Sequence, residues 1–309
     1  MNERPFKRLP FDSLPERPRL PHSYLETPGY EVPVESAGFG RVKIHVREVG
    51  AGPPLLLIHG LMTSSYSWRY LLEPLASRYR VLMPDLPGAG RSDKPAAAYS
   101  PAALAAFLGE LTAALGVRGC RAVGNSLGGY LCMRQVLRDP GLFSRLVNIH
   151  SPAFPIARLH ALAVALAMPG AQALLQHLIR RSPERWVHRN VHYYDETLKS
   201  LEEAREYAAP LATREGRSAF FRYLADTMAP AGFAAFIKEL KERRQRQEPF
   251  PLPLLLLYSR QDPLVPPATG EKLHALIPEA RLEWLPDTSH FAHVDSPQRV
   301  AALLIDHLH

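Results

Sequence analysis

The stretch that most constrains how this chain can fold is Val123-Gly124-Asn125-Ser126-Leu127-Gly128-Gly129, a serine with glycine two residues away on either side. A short apolar run, Cys120 to Val123, precedes it, and a good helix former, Leu127 to about Arg138, follows. A strand that passes through Gly-x-Ser-x-Gly into a helix must turn so tightly that the serine backbone is strained. Side chains at the two flanking glycines would collide with the chain. The hydroxyl then stands clear at the edge of a sheet. It lies beside the first N–H groups of the helix, which lack intrahelical partners and carry the positive end of its dipole.

The rest of the sequence keeps the same strand–helix rhythm. Glu31–Val34 and Arg41–Val49 read as strands, the second alternating through Val42, Ile44 and Val46. Leu55–Ile58 and Val81–Met83 are continuous apolar runs, suited to strands buried on both faces. Ser65–Leu75 has helical spacing, and Pro101–Leu115 is a helix with Ser100 as its cap and Pro101 at its first position. After the elbow comes a buried strand, Leu146–Ile149, and then the alternation breaks. Residues 155–247 contain only helical segments: Ile156–Met168, Ala171–Arg181, Glu196–Tyr207, Ser218–Thr227 and Phe233–Arg246. Strand Leu254–Leu257, helix Ala268–Leu276, strand Arg281–Leu285 and helix Pro297–His307 restore it. Such alternation defines an α/β fold, a mostly parallel central sheet with helices on both faces. The helical block reads as a cap over the sheet's carboxyl edge, where ligands bind in such folds. The expected domains are an extended, proline- and arginine-rich arm over 1–28, a core from 29–154 and 248–309, and a cap over 155–247.

Composition excludes several other functions. The net charge of +7 draws heavily on the run Lys238 to Arg246, but that run alternates with Glu239, Glu242 and leucine. It reads as the solvated face of a helix. No aromatic residues interleave it as a strand-binding groove requires, so no nucleic-acid partner is expected. The two cysteines, Cys120 and Cys132, fall on the strand and helix around the elbow and should be buried and reduced. No metal-ligand spacing or dinucleotide loop occurs, so neither metal nor organic cofactor is expected. With no signal-like apolar stretch and no run long enough to span a bilayer, the expected location is cytoplasmic.

A serine hydroxyl needs a base to take its proton, and the base needs a third group to orient it. In a sheet of this kind the partners follow in the order Ser, acid, His. Asp262 lies in the loop after Leu254–Leu257, in Asp262-Pro263-Leu264-Val265-Pro266, and His290 in the loop after Arg281–Leu285. The position after Ile149 offers no carboxylate until Glu184, so Asp262 is the candidate acid. The plainer alternatives are Asp262 as a helix cap and His293 as the base. Tyr66 and Trp68 read as core or pocket wall. His160, His177, His188, His192, Tyr193 and Tyr194 in the cap are either substrate contacts or scattered polar positions.

Five blocks in this order resemble the α/β-hydrolase branch that holds serine esterases, epoxide hydrolases, haloalkane dehalogenases and meta-cleavage C–C hydrolases. They are His59-Gly60-Leu61, Asp85-Leu86-Pro87-Gly88-Ala89-Gly90-Arg91-Ser92, the elbow, Asp262 to Pro266, and Ser289-His290. The resemblance covers residues 30–309. It implies Ser126 as nucleophile, His290 as base, Asp262 as acid, backbone N–H groups of Leu61 and Leu127 as oxyanion donors, and His59 as support for the oxyanion loop. Epoxide hydrolases and dehalogenases carry aspartate where this chain has Ser126. The C–C hydrolases often carry a glycine-rich loop after His-Gly, where this chain has Leu61-Met62-Thr63-Ser64. The expected activity is therefore hydrolysis of a carboxylic ester through an acyl-enzyme. C–C cleavage, thioester or lactone hydrolysis, and a non-catalytic small-ligand receptor are the alternatives. The apolar cap segments, Ile156–Met168, Phe220/Phe221/Leu224/Met228 and Phe233/Phe236/Ile237/Leu240, imply an apolar substrate pocket.

Overall fold

The computed structural model describes residues 5–156, 161, 164, 165, 168, 170–227 and 229–309. Eight strands form one sheet: β1 (Gly29–Ser36), β2 (Gly40–Val49), β3 (Pro54–Ile58), β4 (Arg80–Pro84), β5 (Cys120–Asn125), β6 (Phe143–Ile149), β7 (Leu254–Ser259) and β8 (Arg281–Leu285). Their spatial order is β1-β2-β4-β3-β5-β6-β7-β8. β2 runs antiparallel to both β1 and β4, and every other pair is parallel. The chain adds β4 on one side of β3 and then returns to add β5 on the other. The crevice at the carboxyl ends of β3 and β5 is thus the switch point of the sheet, where α/β folds bind ligands.

Period-two alternation sorts the central strands between two cores. Leu56, Ile58, Ala122, Leu146, Leu254 and Leu256 pack on one face. Leu55, Leu57, Val123, Val147, Leu255 and Leu257 pack on the other. Continuous apolar runs are therefore what a strand needs when helices cover both sides. The edge strand β1 is solvated on one face, and its buried positions, Val32, Val34 and Ser36, alternate with exposed ones.

Among the described residues the helices of the core are α1 (Leu72–Ala76), α2 (Pro101–Ala114), α3 (Leu127–Arg138), α9 (Ala268–Leu276), α10 (Ala292–Asp295) and α11 (Pro297–Leu308). Between β6 and β7 lie α4 (Ala171–Arg181), α5 (Pro183–Asn190), α6 (Leu201–Ala212), α7 (Arg214–Thr227) and α8 (Pro230–Gln245). None of the described helices is long and apolar enough to cross a membrane. Cys120 and Cys132 are buried and free, and burial pushes both thiols up, Cys120 to about 12.

Three local expectations need correction. The stretch Ser65–Leu75 is not one helix but a 3-10 turn, Ser65–Trp68, followed by α1. Pro74 explains the break: it has no N–H and clashes with the carbonyl four residues back, so α1 must begin close enough for Pro74 to sit in its first turn. The helix expected from Glu196 begins instead at Leu201, because Ser200 caps it by accepting the Glu203 N–H at 3.1 Å. Helix α5 was not foreseen at all, although Ser182-Pro183-Glu184 is a helix-start signal. Most of Ile156–Met168 and also Met228 lie outside the described residues. Within that stretch Ile156 is half-buried, whereas Val164 and Met168 are exposed to solvent at 56% and 64%. At these described positions Val164 and Met168 are not buried as the composition of the segment suggested.

The insertion is joined to the core by a buried ion pair. Arg69, between the 3-10 turn and α1, donates to Glu203 of α6 at 2.6 Å, with both side chains almost fully buried. The Arg69 guanidinium also stacks over the rings of Tyr66 and Tyr70, and Tyr193 donates to the same Glu203 oxygen. Burial pushes the Glu203 carboxyl above its ordinary range despite these partners. Glu203→Ala would strand the guanidinium in the interior, which costs on the order of 3 kcal/mol or more. The expected result is a fall in Tm of about 5 °C in thermal denaturation. A shift under about 2 °C would mean that water reaches Arg69 and replaces the carboxylate.

Residues 5–28, which include a 3-10 turn at Phe11–Ser13, pass across this same junction. Leu201 N–H and Glu202 N–H, the first donors of α6, bond to the carbonyls of Pro15 and Glu16 at 2.9 and 3.0 Å. Arg19 pairs with Asp195, and the buried Tyr24 shares a 2.6 Å hydrogen bond with Ser65. At the other end of the insertion, Lys238, Arg243 and Arg246 pair with Glu242 and Glu248, as a solvated helix face does.

Candidate active site

Ser126 stands between the last residue of β5 and the first of α3, with φ 53° and ψ −121°. That left-handed conformation is rare for a residue with a side chain and costs on the order of 1 kcal/mol or more. Two glycines make the turn possible. A methyl on Gly124 would meet the backbone of Gly128 and Gly129, and one on Gly128 would meet the carbonyls of Ile58 and His59 at the end of β3. The turn is further fixed by the Ser126 N–H donating to Ile149 O at 2.7 Å, and by Ser151 Oγ donating to Ser126 O at 2.8 Å.

Asp262 and His290, fifty or more residues downstream of the insertion's first helices, meet at the same edge. His290 Nδ1 donates to Asp262 Oδ2 at 2.7 Å. The other carboxylate oxygen accepts the N–H groups of Leu264 and Val265 at 2.6 and 2.9 Å, so the acid is aimed from behind by its own loop. Burial pushes the Asp262 carboxyl up, but the His290 charge and hydrogen bond, aided by these backbone donors, outweigh it and hold it below the usual range. The adjacent Ser289 is anchored through both N–H and Oγ to Asp295 Oδ2, at 2.7 and 2.6 Å. Burial raises Asp295 to about 7.

His293 is placed differently. Its ring lies against Trp68, centroids 4.6 Å apart, and neither of its buried nitrogens has a partner among the described residues. Burial holds it well below the ordinary histidine value. His59 braces two loops: Nδ1 donates to Gly60 O at 2.8 Å and Nε2 accepts the Leu86 N–H at 2.9 Å. A ring that donates at one nitrogen and accepts at the other is neutral, in keeping with the lowering of its pKa by burial. Asp85 ties the same loops together, accepting Ser65 N–H and Arg91 N–H, each at 2.8 Å.

Ser126 and His290 line one cavity of about 280 Å³ between the sheet edge and the insertion. Its walls are mainly apolar, with Met62, Leu175, Val191, Phe220, Leu224 and Phe291. Trp186 and Asn190, one helical turn apart on α5, also line it, with Asn190 Nδ2 donating to Trp186 O at 2.7 Å. Leu61 also lines it, while Leu127, the first residue of α3, faces a smaller neighbouring cavity that shares Gly60, Leu61, Met62 and Phe220. The histidines and tyrosines singled out in the insertion lie elsewhere or outside the described residues. His188 bonds Leu9 O, His192 and Tyr193 bond Glu196 and Glu203, Tyr194 bonds Asp287, and His177 is exposed. Tyr66 and Trp68 are fully buried in the core, and so are Phe233 and Phe236, which pack on Tyr130. The sequence reading missed Trp186 and Asn190 because it missed α5.

Among the described residues, His150, Asp262 and His290 are the cluster whose ligand-type atoms lie within 4.8 Å of one another. Both Asp262 oxygens and one nitrogen of each ring are already engaged: His290 Nδ1 on Asp262 Oδ2, His150 Nδ1 on His290 O, and the Leu264 and Val265 N–H groups on Asp262 Oδ1. The group reads as a hydrogen-bonded network.

The eight-stranded sheet, the strained serine and the insertion define a hydrolase of the α/β type, and the chain belongs to the α/β hydrolase fold family, whose model matches residues 53–297. It is 28% identical over 264 residues to the pimeloyl-acyl-carrier-protein methyl ester esterase of Aeromonas hydrophila, covering 85% of this chain and 98% of that one. It is 29% identical over 284 residues to haloalkane dehalogenase 2 of Mycobacterium tuberculosis, covering 89% and 95%. Among solved structures, the haloalkane dehalogenase DatA of Agrobacterium tumefaciens superposes with a TM-score of 0.75 at 22% identity, over 93% of this chain and 99% of that one.

Proposed function

We propose that the protein is a serine hydrolase that cleaves a carboxylic ester of a small, mainly apolar substrate. The observation that carries this reading is the Asp262–His290 hydrogen bond at the rim of the cavity that also holds Ser126. His290 Nε2 takes the Ser126 proton as Oγ attacks the ester carbonyl. The tetrahedral oxyanion is held by the backbone N–H groups of Leu61 and Leu127, each worth roughly 3 kcal/mol in acyl-transfer enzymes. His290 then returns the proton to the departing alcohol, and water repeats the sequence on the acyl-enzyme. Asp262 orients the ring and stabilises the imidazolium. Residues 155–247 act as the cap, residues 29–154 and 248–309 as the catalytic core, and no metal or organic cofactor takes part.

Two features support the ester reading, the first of them only against the aspartate-dependent cleavage of epoxides and carbon–halogen bonds. The elbow carries serine, which suits acyl transfer, and one of the similar proteins is a methyl ester esterase. A second similar protein, 26% identical, is the 2-hydroxymuconate semialdehyde hydrolase of a Pseudomonas species, so C–C cleavage is the reading to test against. The apolar cavity makes a graded prediction. Each buried methylene contributes about 0.8 kcal/mol, so kcat/KM for p-nitrophenyl esters should rise about fourfold per CH₂ until the cavity is full. The panel should include thioesters, lactones and a vinylogous diketone. A flat response from acetyl to octanoyl, or faster turnover of the diketone than of any ester, would overturn the ester reading.

A further inference from the structure

An acid can aim a histidine ring only if the histidine backbone is itself fixed. The His290 carbonyl receives two side-chain donors: Asn125 Nδ2 at 3.1 Å and His150 Nδ1 at 3.2 Å. Asn125 directly precedes Ser126, and the same Nδ2 also reaches Ile149 O at 3.3 Å. His150 directly follows Ile149, whose carbonyl holds the Ser126 N–H. Both donors therefore stand one peptide away from an anchor of the serine turn. A carbonyl only accepts, so His150 must carry its proton on Nδ1. Its Nε2 is buried and has no partner among the described residues.

His150 is also held at φ 53°, in the left-handed region, though it is fully buried and is not glycine. Strain of this kind persists where the surroundings over-determine it, and it clusters at functional sites. Here the His150 N–H continues the ladder to Leu257 O at 3.0 Å, and the turn then swings the ring beneath the His290 loop. The two imidazole centroids are 5.8 Å apart, and Tyr258 stands edge-on to His150, its hydroxyl bonded to Ser151 O at 2.9 Å.

We propose that His150 is a positioning residue which, paired with Asn125, clamps the His290 carbonyl and so sets the His290 ring against Ser126. The inference rests on the roles proposed for Ser126 and His290. His150→Ala deletes the donor. His150→Asn restores an N–H near the Nδ1 position in a residue that tolerates left-handed backbone.

The measurement is the rate of fluorophosphonate labelling at Ser126, together with kcat and KM on an activated ester. A misplacement of the base by a fraction of an ångström to one ångström should slow labelling and kcat by about 10- to 100-fold in the alanine variant, with KM nearly unchanged. The asparagine variant should recover most of the loss. Full rates in His150→Ala overturn the proposal, as do equal losses in the alanine and asparagine variants when both melt like the wild type. If the alanine variant does not fold, ¹⁵N spectra of histidine-labelled wild type decide: His150 is expected as the Nδ1–H tautomer, and finding Nε2–H overturns it. Wild-type protein that does not label at Ser126 would instead strike at the serine-hydrolase reading, leaving the tautomer to be read on its own.

Discussion

Ser126→Ala is expected to lower kcat by about 10⁴- to 10⁶-fold while Tm stays near the wild-type value, because the substitution removes the bond-forming atom and little packing. Alanine is as tolerable as serine at φ 53°, and the backbone bonds at this residue, from its N–H to Ile149 O and from Ser151 Oγ to its carbonyl, remain. Residual turnover would come from substrate binding and the oxyanion donors alone. In the proposed mechanism the serine and the histidine act as a unit, so adding His290→Ala should cost almost nothing further. A fluorophosphonate probe should label the wild type at Ser126 and leave the variant unlabelled. Labelling that persists in Ser126→Ala would sink the assignment of the nucleophile.

Asp262→Asn should lower kcat by about 10³- to 10⁴-fold, with a much smaller change in KM. The amide oxygen can still accept the Leu264 and Val265 N–H groups, so the loop keeps its shape. The amide nitrogen then faces His290 Nδ1, and two donors cannot share that 2.7 Å contact. The ring must move its proton to Nε2, the nitrogen that should receive the Ser126 proton. A loss below tenfold would mean that Asp262 serves only as a cap for its own loop.

Much of this architecture was legible because strands and helices announce themselves locally. Pro101 after Ser100 and the continuous run Leu254 to Leu257 each specify an element from a few neighbours. The order of five short blocks then placed Asp262 and His290 at strand ends 28 residues apart in the chain, where the structure joins them by a hydrogen bond. Where local signals were overlooked, the consequences were functional. Ser182-Pro183 and the N-cap Ser200 before Leu201-Glu202-Glu203 mark the starts of α5 and α6. Helix α5 is the element that brings Trp186 and Asn190 to the cavity.

What the sequence by itself determined is the α/β alternation, the strained serine turn and the serine, acid and histidine that stand as candidates for hydrolysis. These follow from spacing, since a period of two or 3.6 and a pair of glycines act over a few residues. What only the tertiary structure decided is which of many similar side chains meet. Nothing in the spacing separates Phe220, in the cavity wall, from Phe236, packed on Tyr130. Nor does it separate His150, bonded to the His290 carbonyl, from His293, stacked on Trp68. Such choices depend on contacts between segments more than a hundred residues apart, and burial selects among chemically equal candidates only once the sheet has brought those segments together.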